Sequence, residues 1–370
     1  MVDSRIKNLA KLCVQYSVDV KPKEKVFIQG NVVAFPLIKE LYRECLLAGA
    51  YPTIIPSLDV EYLFFKYAKE HQLRFVPPLQ KFLVKDADVA ISISCEPNPK
   101  RLTNIEPEKI RTYRASKKEI MEIFLRRTAE RKLRWVVLPY PINDQAQEAA
   151  MSLEEYEDFV FSGCLLDKKD PVTEWKKIHQ HQEKICEFLN RVNKIHILGE
   201  DTDLLLSVKD RKWINCSGKL NMPDGEVYTG PVENSANGTV RFTYPGIVAG
   251  REVEDITLTF KDGKVVKATA VEGDELLQQM LKIEGADRIG EVAIGTNYGI
   301  TQFTKNMLFD EKMGGTIHMA LGASIPESGG LNKSAIHWDI VKDMKKEGEI
   351  YADNKLFYKN GKFLIKEMVL

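Results

Sequence analysis

Apolar residues follow two different patterns in the two halves of the chain. In the first half, short apolar runs predict strands at Lys25–Gly30, Tyr51–Pro56, Asp88–Cys95 and Trp135–Pro139. Apolar residues at helical spacing predict helices over 3–17, 35–48, 117–131 and most of 151–193. Apolar strands that alternate with helices are typical of a parallel sheet covered on both faces. We therefore predict an α/β N-terminal domain with a mainly parallel sheet over residues 1–194.

After residue 195 the pattern changes to short alternating strands separated by turns. Asp262-Gly263 joins two runs rich in β-branched residues, and Asn360-Gly361 joins the last two runs of the chain. Both dipeptides favour tight hairpin turns. One helix, over 274–285, interrupts these strands. The pattern predicts an α+β C-terminal domain with antiparallel sheet over residues 195–370.

Composition narrows the possible partners of the protein. Lys+Arg and Asp+Glu both number 53, so the formal net charge is zero and nothing favours nucleic acid or an anionic membrane surface. The sequence begins with charged residues and contains no uninterrupted apolar stretch of about 18–20 residues, the length of a membrane span. We therefore expect a cytoplasmic protein. Six cysteines without a C-x-x-C pair predict buried free thiols.

Two histidines lie in apolar runs of the second half. His337 and Asp339 are separated by one residue, so on a strand both side chains project to one face and could hold a divalent ion. A structural hydrogen bond between them is the simpler interpretation of this tripeptide alone. His318 lies in an apolar run between glycines, which permit close backbone approach, but it also fits an ordinary core histidine.

Two glutamates stand where apolar segments of the same half begin. They are Glu226, which follows a Pro/Gly turn, and Glu291. Each by itself fits a surface acid. Together with the two histidines and Asp339 they make five N/O ligands, enough for two divalent ions if one carboxylate bridges them. Spacing does not establish that the five converge.

Other kinds of catalytic or nucleotide-binding site find less support in the sequence. It contains no G-x-S-x-G, H-E-x-x-H, Walker A or G-x-G-x-x-G motif. The remaining histidines are expected to have surface or structural roles, because none has an acidic or cysteine partner nearby in sequence; they are His71, His179, His181 and His196.

Four ordered stretches resemble the thermophilic aminopeptidase T family of metallo-aminopeptidases, peptidase family M29. They are Asn221-Met-Pro-Asp-Gly-Glu-Val-Tyr228, Gly290-Glu-Val-Ala-Ile-Gly-Thr-Asn297, Asp310-Glu-Lys-Met-Gly-Gly-Thr-Ile-His-Met-Ala-Leu-Gly322 and Ser334-Ala-Ile-His-Trp-Asp339. The resemblance extends along the chain, since the segment 146–159 in the first half is also similar to the family.

The resemblance implies a fold, an activity and a ligand set. It implies a two-domain homodimer with its site in the C-terminal domain, which releases the N-terminal residue of short peptides. Two divalent ions, Zn²⁺, Co²⁺ or Mn²⁺, would hold the substrate and activate a water molecule. Glu291 would be the catalytic carboxylate shared between them. The implied metal ligands are Glu226, Glu291, His318, His337 and Asp339.

One position departs from the family pattern. The family commonly has a tyrosine seven residues after the first of these histidines, where this sequence has Ile325. Isoleucine cannot donate a hydrogen bond to an oxyanion, so another donor such as Tyr298 or Ser324 would be needed. Two alternatives to the aminopeptidase therefore stay open. One is a metal-dependent hydrolase of another amide or ester, and the other is a non-catalytic metal-binding relative.

Overall fold

The computed structural model describes residues 3–365 apart from residues 96, 99 and 249. Contacts divide the chain into two compact units, Met1–Val172 with Gly218–Pro223, and Thr173–Ser217 with Asp224–Leu370. The predicted domain boundary between residues 194 and 195 falls inside the second unit. Among the described residues, no helix has the length and apolar character that crossing a membrane requires.

The first unit is built on a four-stranded parallel sheet, as the alternation of strands and helices predicts. Its strands are β1 Lys25–Asn31, β2 Tyr51–Ser57, β3 Val89–Ser94 and β4 Arg134–Pro139, in the order β2-β1-β3-β4. Val26 on β1 and Val89 on β3 are fully buried because these inner strands are covered on both faces, and Val136 on the edge strand β4 is fully buried as well.

Nine α-helices of the described chain precede residue 164, and two of them begin at prolines, Pro78 and Pro107, which suit the first helical turn. They are α1 Ser4–Leu12, α2 Phe35–Leu47, α3 Glu61–Tyr67, α4 Glu70–Leu73, α5 Pro78–Asp86, α6 Pro107–Ser116, α7 Lys118–Ala129, α8 Asn143–Glu148 and α9 Leu153–Gly163. The helix predicted over 3–17 is α1 followed by a π-helical turn at Cys13–Ser17. Helices α3 to α6 and α8, each of ten residues or fewer, were not predicted from the sequence.

The second unit begins within the long helix α10 Pro171–Leu189 and consists mainly of antiparallel strands, as predicted. Eight of them form one sheet in the order β13-β12-β9-β6-β5-β17-β18-β19. Their bounds are β5 Lys194–Gly199, β6 Thr202–Ser207, β9 Asn237–Arg241, β12 Thr257–Lys261, β13 Lys264–Thr269, β17 Glu349–Ala352, β18 Lys355–Lys359 and β19 Lys362–Phe363.

Five more strands of this unit form a second antiparallel sheet in the order β16-β15-β14-β8-β7. Their bounds are β7 Ile214–Cys216, β8 Glu226–Thr229, β14 Ile289–Gly295, β15 Thr316–Gly322 and β16 His337–Asp343. The remaining elements are the two-stranded ribbon β10 Gly246–Val248 and β11 Arg251–Val253, with helices α11 Asp274–Leu281 and α12 Met307–Asp310. Helix α11 ends four residues before the predicted end at 285.

Both predicted hairpin turns are confirmed. Asp262 and Gly263 have φ of 50° and 80° between β12 and β13, and Asn360 and Gly361 have φ of 49° and 77° between β18 and β19. Positive φ at both central residues defines the turn type that matches the twist of a tight hairpin.

The five-stranded sheet has two chemically different faces. Alternate residues of its strands, including Val292, Ile317 and Ile340, belong to the large apolar core of the second unit. Because successive side chains on a strand point to opposite faces, the residues between them occupy the other face of the sheet. That second face carries the acidic and histidine side chains considered as metal ligands.

Candidate metal centre

Five acidic and imidazole side chains from four neighbouring strands share one face of this sheet. We call them the acid–histidine cluster: Glu226 on β8, Glu291 on β14, His318 on β15, and His337 and Asp339 on β16. Residues directly opposite on antiparallel strands point to the same face. Glu291 lies opposite Ala320, and Ala320 lies opposite Asp339. Ala293 lies opposite His318, and Gly295 lies opposite Glu226.

The positions between the cluster members carry very small side chains. Ala293 and Ala320 are fully buried among them, and Gly295 and Gly322 supply no side chain at all. At Gly322, which has a φ of 106°, a Cβ atom would lie 2.2 Å from the carbonyl oxygen of Ile336. The predicted close backbone approach around the His318 run is confirmed at this glycine, and the small residues leave room for the larger polar groups.

His318 is the centre of the buried half of the cluster. Its Nε2 lies 3.0 Å from Oε1 of Glu291, 3.5 Å from Oε2 of Glu226 and 3.9 Å from Oδ1 of Asp339. His318 is 1% exposed, so these contacts are made away from bulk water. One imidazole nitrogen thus faces three carboxylates from three other strands.

His337 makes the equivalent contacts at the more exposed end. Its Nε2 lies 3.4 Å from Oδ1 of Asp339 and 3.6 Å from Oε2 of Glu291. The two oxygens of Glu291 therefore face different histidines. Ligand atoms of Glu226, Glu291 and His318 all lie within 4.8 Å of one another, and the same holds for Glu291, His337 and Asp339.

Backbone carbonyls orient both imidazole rings. Nδ1 of His318 lies 2.9 Å from the carbonyl oxygen of Glu311, and Nδ1 of His337 lies 2.7 Å from that of Ala323. A carbonyl oxygen only accepts, so each Nδ1 carries the proton and donates it. In a neutral ring the lone pair is then on Nε2, which points at the carboxylates. This is the arrangement that holds a metal-binding histidine in place.

Burial and mutual attraction shift the pKa values of the cluster. Burial raises the pKa of Glu226 to about 8, and it also raises the pKa of Glu291. Burial opposes the charged form of His318, but the hydrogen bond to Glu291 and the charges of Glu226 and Asp339 outweigh it and raise the pKa to about 10. Since metal ligands must be deprotonated, a divalent cation bound here would release protons.

The donor set fits divalent metal ions. Three carboxylate oxygens are buried without a hydrogen-bond partner among the described residues: Oε2 of Glu226, Oε2 of Glu291 and Oδ1 of Asp339. Buried polar atoms are normally satisfied, so three such atoms in one cluster are compatible with the binding of a cation. Carboxylates and imidazoles together suit borderline divalent ions.

A buried lysine at the cluster was not predicted from the sequence. Lys312 is fully buried, and its Nζ contacts the carboxylate of Glu311 and lies 3.8 Å from Oε1 of Glu226. Burial alone would lower the pKa of Lys312, but the charges of Glu226 and Glu311 raise it above its usual value. Lys312 lies in a turn before β15, directly after two acidic residues, where a lysine is usually solvated, so no local sequence signal indicated its burial.

The other four histidines have surface or structural roles, as expected. His71 is exposed, and Nδ1 of His179 lies 2.8 Å from Oγ of Ser217. His181 packs edge-on against Phe363. His196 does have an acidic partner, contrary to the sequence analysis, because its Nε2 lies 2.7 Å from Oδ1 of Asp203 on the neighbouring strand.

The two donors considered as replacements at Ile325 are both unsuited as they stand. The Tyr298 hydroxyl donates to the carbonyl oxygen of Gly361 at 2.8 Å. Oγ of Ser324 is buried and has no hydrogen-bond partner in the described structure. Ile325 itself precedes a short 3₁₀ helix, Pro326–Ser328, in the loop after β15.

Comparisons with known proteins agree on one relationship. A family model described as thermophilic metalloprotease (M29) matches residues 2–363. "Aminopeptidase 2" of Geobacillus stearothermophilus is 26% identical over 381 residues, which cover 92% of each chain. "Aminopeptidase PepS" of Streptococcus thermophilus is 26% identical over 97% of this chain and 98% of its own. The solved structure of wild-type AmpT from Thermus thermophilus matches with a TM-score of 0.84 at 22% identity, covering 98% of this chain and 99% of that chain.

Proposed function

Because this chain belongs to the thermophilic metalloprotease (M29) family and is a metallo-aminopeptidase, we propose that its acid–histidine cluster holds two divalent ions. The two bound ions would promote hydrolysis of the first peptide bond and so release the N-terminal residue of short peptides. On this proposal the catalytic domain spans residues 195–370, because that range contains all five proposed ligands. Zn²⁺, Co²⁺ and Mn²⁺ all suit two glutamates, two histidines and one aspartate.

The observation that carries the proposal is the position of Glu291 in two overlapping ligand groups. One group is Glu291 with Glu226 and His318, and the other is Glu291 with His337 and Asp339. Oε1 of Glu291 is 3.0 Å from one histidine and Oε2 is 3.6 Å from the other. A carboxylate with one oxygen in each group can bridge two ions, so five side chains suffice for both.

The chemistry follows from the ions and from the residues that hold them. Bound divalent ions would polarise the peptide carbonyl and lower the pKa of a water molecule. The water molecule would lose a proton as its oxygen adds to the carbonyl carbon, and when the C–N bond breaks the leaving nitrogen would take up a proton in its place. The chain's own part is to fix the ligands: carbonyls of Glu311 and Ala323 hold the two imidazoles, and the sheet holds the carboxylates.

The activity is tested with Leu- and Phe-peptides and metal-loaded protein. We expect release of the free N-terminal amino acid, abolished by a chelator and restored by added Zn²⁺, Co²⁺ or Mn²⁺. N-acetylated versions of the same peptides should resist, because an aminopeptidase needs the free amine. Cleavage of other amides or esters but not of peptides would favour the broader hydrolase. Full metal content without any turnover would favour the non-catalytic relative.

The two-ion arrangement is tested by counting bound metal. The wild-type protein should bind two ions per chain, and His337→Ala should keep one, held by Glu226, Glu291 and His318. Glu291→Gln should lower the occupancy of both positions because it removes the shared charge. Glu349→Gln, on β17 and outside the cluster, is the matched control and should still bind two. A wild-type stoichiometry of one would contradict the arrangement.

We also propose that the protein is a homodimer, as the family resemblance implies. Light scattering coupled to size-exclusion chromatography should give twice the 42.2 kDa mass of the chain. A mass of one chain at micromolar concentration would contradict it.

A further inference from the structure

Tyr228 has a hydroxyl group that the fold does not use. The residue lies on β8, two positions after Glu226, so both side chains point to the same face of the five-stranded sheet. Tyr228 is 6% exposed, and its hydroxyl has no hydrogen-bond partner among the described residues. A tyrosine this deeply buried normally satisfies its hydroxyl, so the group is available to a ligand.

The register places this tyrosine beside the acid–histidine cluster. Tyr228 lies opposite Ala293 on β14, and Ala293 lies opposite His318 on β15. Ala293, whose side chain is a single methyl group, is therefore the residue between Tyr228 and His318 in that row of the sheet. Burial raises the pKa of Tyr228, and the charges of Cys216, Glu291, Glu327 and Glu226 raise it further, which agrees with a hydroxyl close to the carboxylates.

The loop after β15 is anchored next to the same tyrosine. The backbone N–H of Gly230, two residues beyond Tyr228, donates to Oγ of Ser328 at 3.0 Å. Oγ of Ser328 in turn donates to the carbonyl oxygen of Ile325 at 2.7 Å. The segment that carries Ile325 therefore rests against the end of β8, on the approach to Tyr228.

The other residues considered so far offer no accessible, unused donor. Tyr298 is hydrogen-bonded to Gly361, Oγ of Ser324 is shut off from solvent, and Ile325 has no donor. The Tyr228 hydroxyl makes no hydrogen bond among the described residues, the residue is 6% exposed, and it lies on the face of the sheet that carries the acid–histidine cluster. Among these four residues it is the one able to meet a substrate without rearrangement.

We propose that the Tyr228 hydroxyl donates a hydrogen bond to the oxygen of the scissile carbonyl as that oxygen becomes negatively charged. When water adds to the carbonyl carbon, the π electrons of the C=O bond move to this oxygen, and the phenol stabilises the charge without giving up its proton. When the C–N bond breaks, the C=O bond re-forms and the hydrogen bond weakens. This role rests on the proposed peptide hydrolysis.

The test removes the hydroxyl alone. Tyr228→Phe should lower kcat by about 10²-fold or more, the usual effect of losing one oxyanion donor, with KM changed less than threefold. Two bound metal ions and an unchanged melting temperature should show that ligands and fold are intact. Tyr358→Phe is the matched control, because Tyr358 is also buried and its hydroxyl has no partner among the described residues, but it belongs to the apolar core. The kcat of this variant should stay within twofold of wild type.

Binding of a stable analogue gives a readout independent of turnover. A phosphinic dipeptide mimics the tetrahedral oxyanion, whereas free leucine mimics a product. Tyr228→Phe should weaken binding of the phosphinate by about 10²-fold and leave leucine binding unchanged. Equal losses for both ligands, or none for either, would overturn the role of Tyr228.

Failure of this inference can be distinguished from failure of the proposed function. If wild type binds two ions but releases no amino acid, the proposed function itself fails. If wild type is active and Tyr228→Phe is equally active, only this inference fails.

Discussion

At the scale of single residues, the most consequential feature not expected from the sequence is the burial of the positively charged Lys312. A buried charge is stable only beside opposite charges, and this one lies between the carboxylates of Glu226 and Glu311. Lys312→Met keeps most of the volume but leaves the buried Glu226 and the half-buried Glu311 without their cation. We expect the metal-free protein to lose about 3 kcal/mol of unfolding free energy, measured by urea denaturation in the presence of a chelator.

Added metal should recover part of that loss, because a divalent ion supplies positive charge to the same carboxylates. Lys359→Met is the matched control: Lys359 pairs with Glu349 on the surface, and its replacement should leave the denaturation midpoint unchanged. Equal stability of Lys312→Met and wild type in chelator would mean that the buried charge contributes nothing.

At the scale of elements, the acid–histidine cluster depends on small neighbouring residues as much as on its own five side chains. Ala320 lies between Glu291 and Asp339 across three strands, and it is fully buried. Ala320→Val adds two methyl groups at the centre of the ligand face, so we expect metal affinity to fall at least tenfold. Overpacking also costs about 1–3 kcal/mol of stability. Ala352→Val, at a buried position of β17, should share that stability loss but bind metal like wild type, as isothermal titration would measure.

Local patterns predicted the elements, but convergence of the site depends on contacts between distant parts of the chain. The i, i+2 spacing of His337 and Asp339 predicted their shared face, and the Asp-Gly and Asn-Gly turns predicted their hairpins. By contrast, Glu226 reaches His318 only because β8 pairs with β14 and β14 with β15, and no local period encodes that order. The shift in register between Ile289 and Glu291 in the pairing of β14 with β15 likewise cannot be predicted from a local sequence pattern. The resemblance supplied the five residues; the strand register brings them together.

At the scale of the whole molecule, the cluster belongs entirely to the second of the two compact units. A ligand that binds the folded state stabilises it by RT ln(1 + [L]/Kd), about 2.7 kcal/mol at a free concentration one hundred times Kd. Strands that hold the ligands should therefore gain the most protection from hydrogen exchange when metal is added. We expect slower exchange in β8, β14, β15 and β16, and little change in the parallel sheet β1 to β4. The measurement compares chelated and Zn²⁺-loaded protein by mass spectrometry, with His337→Ala as a variant in which protection of β16 should be reduced. Protection gained mainly in β1 to β4 would mean that metal binds outside the acid–histidine cluster, and the proposed centre would be wrong.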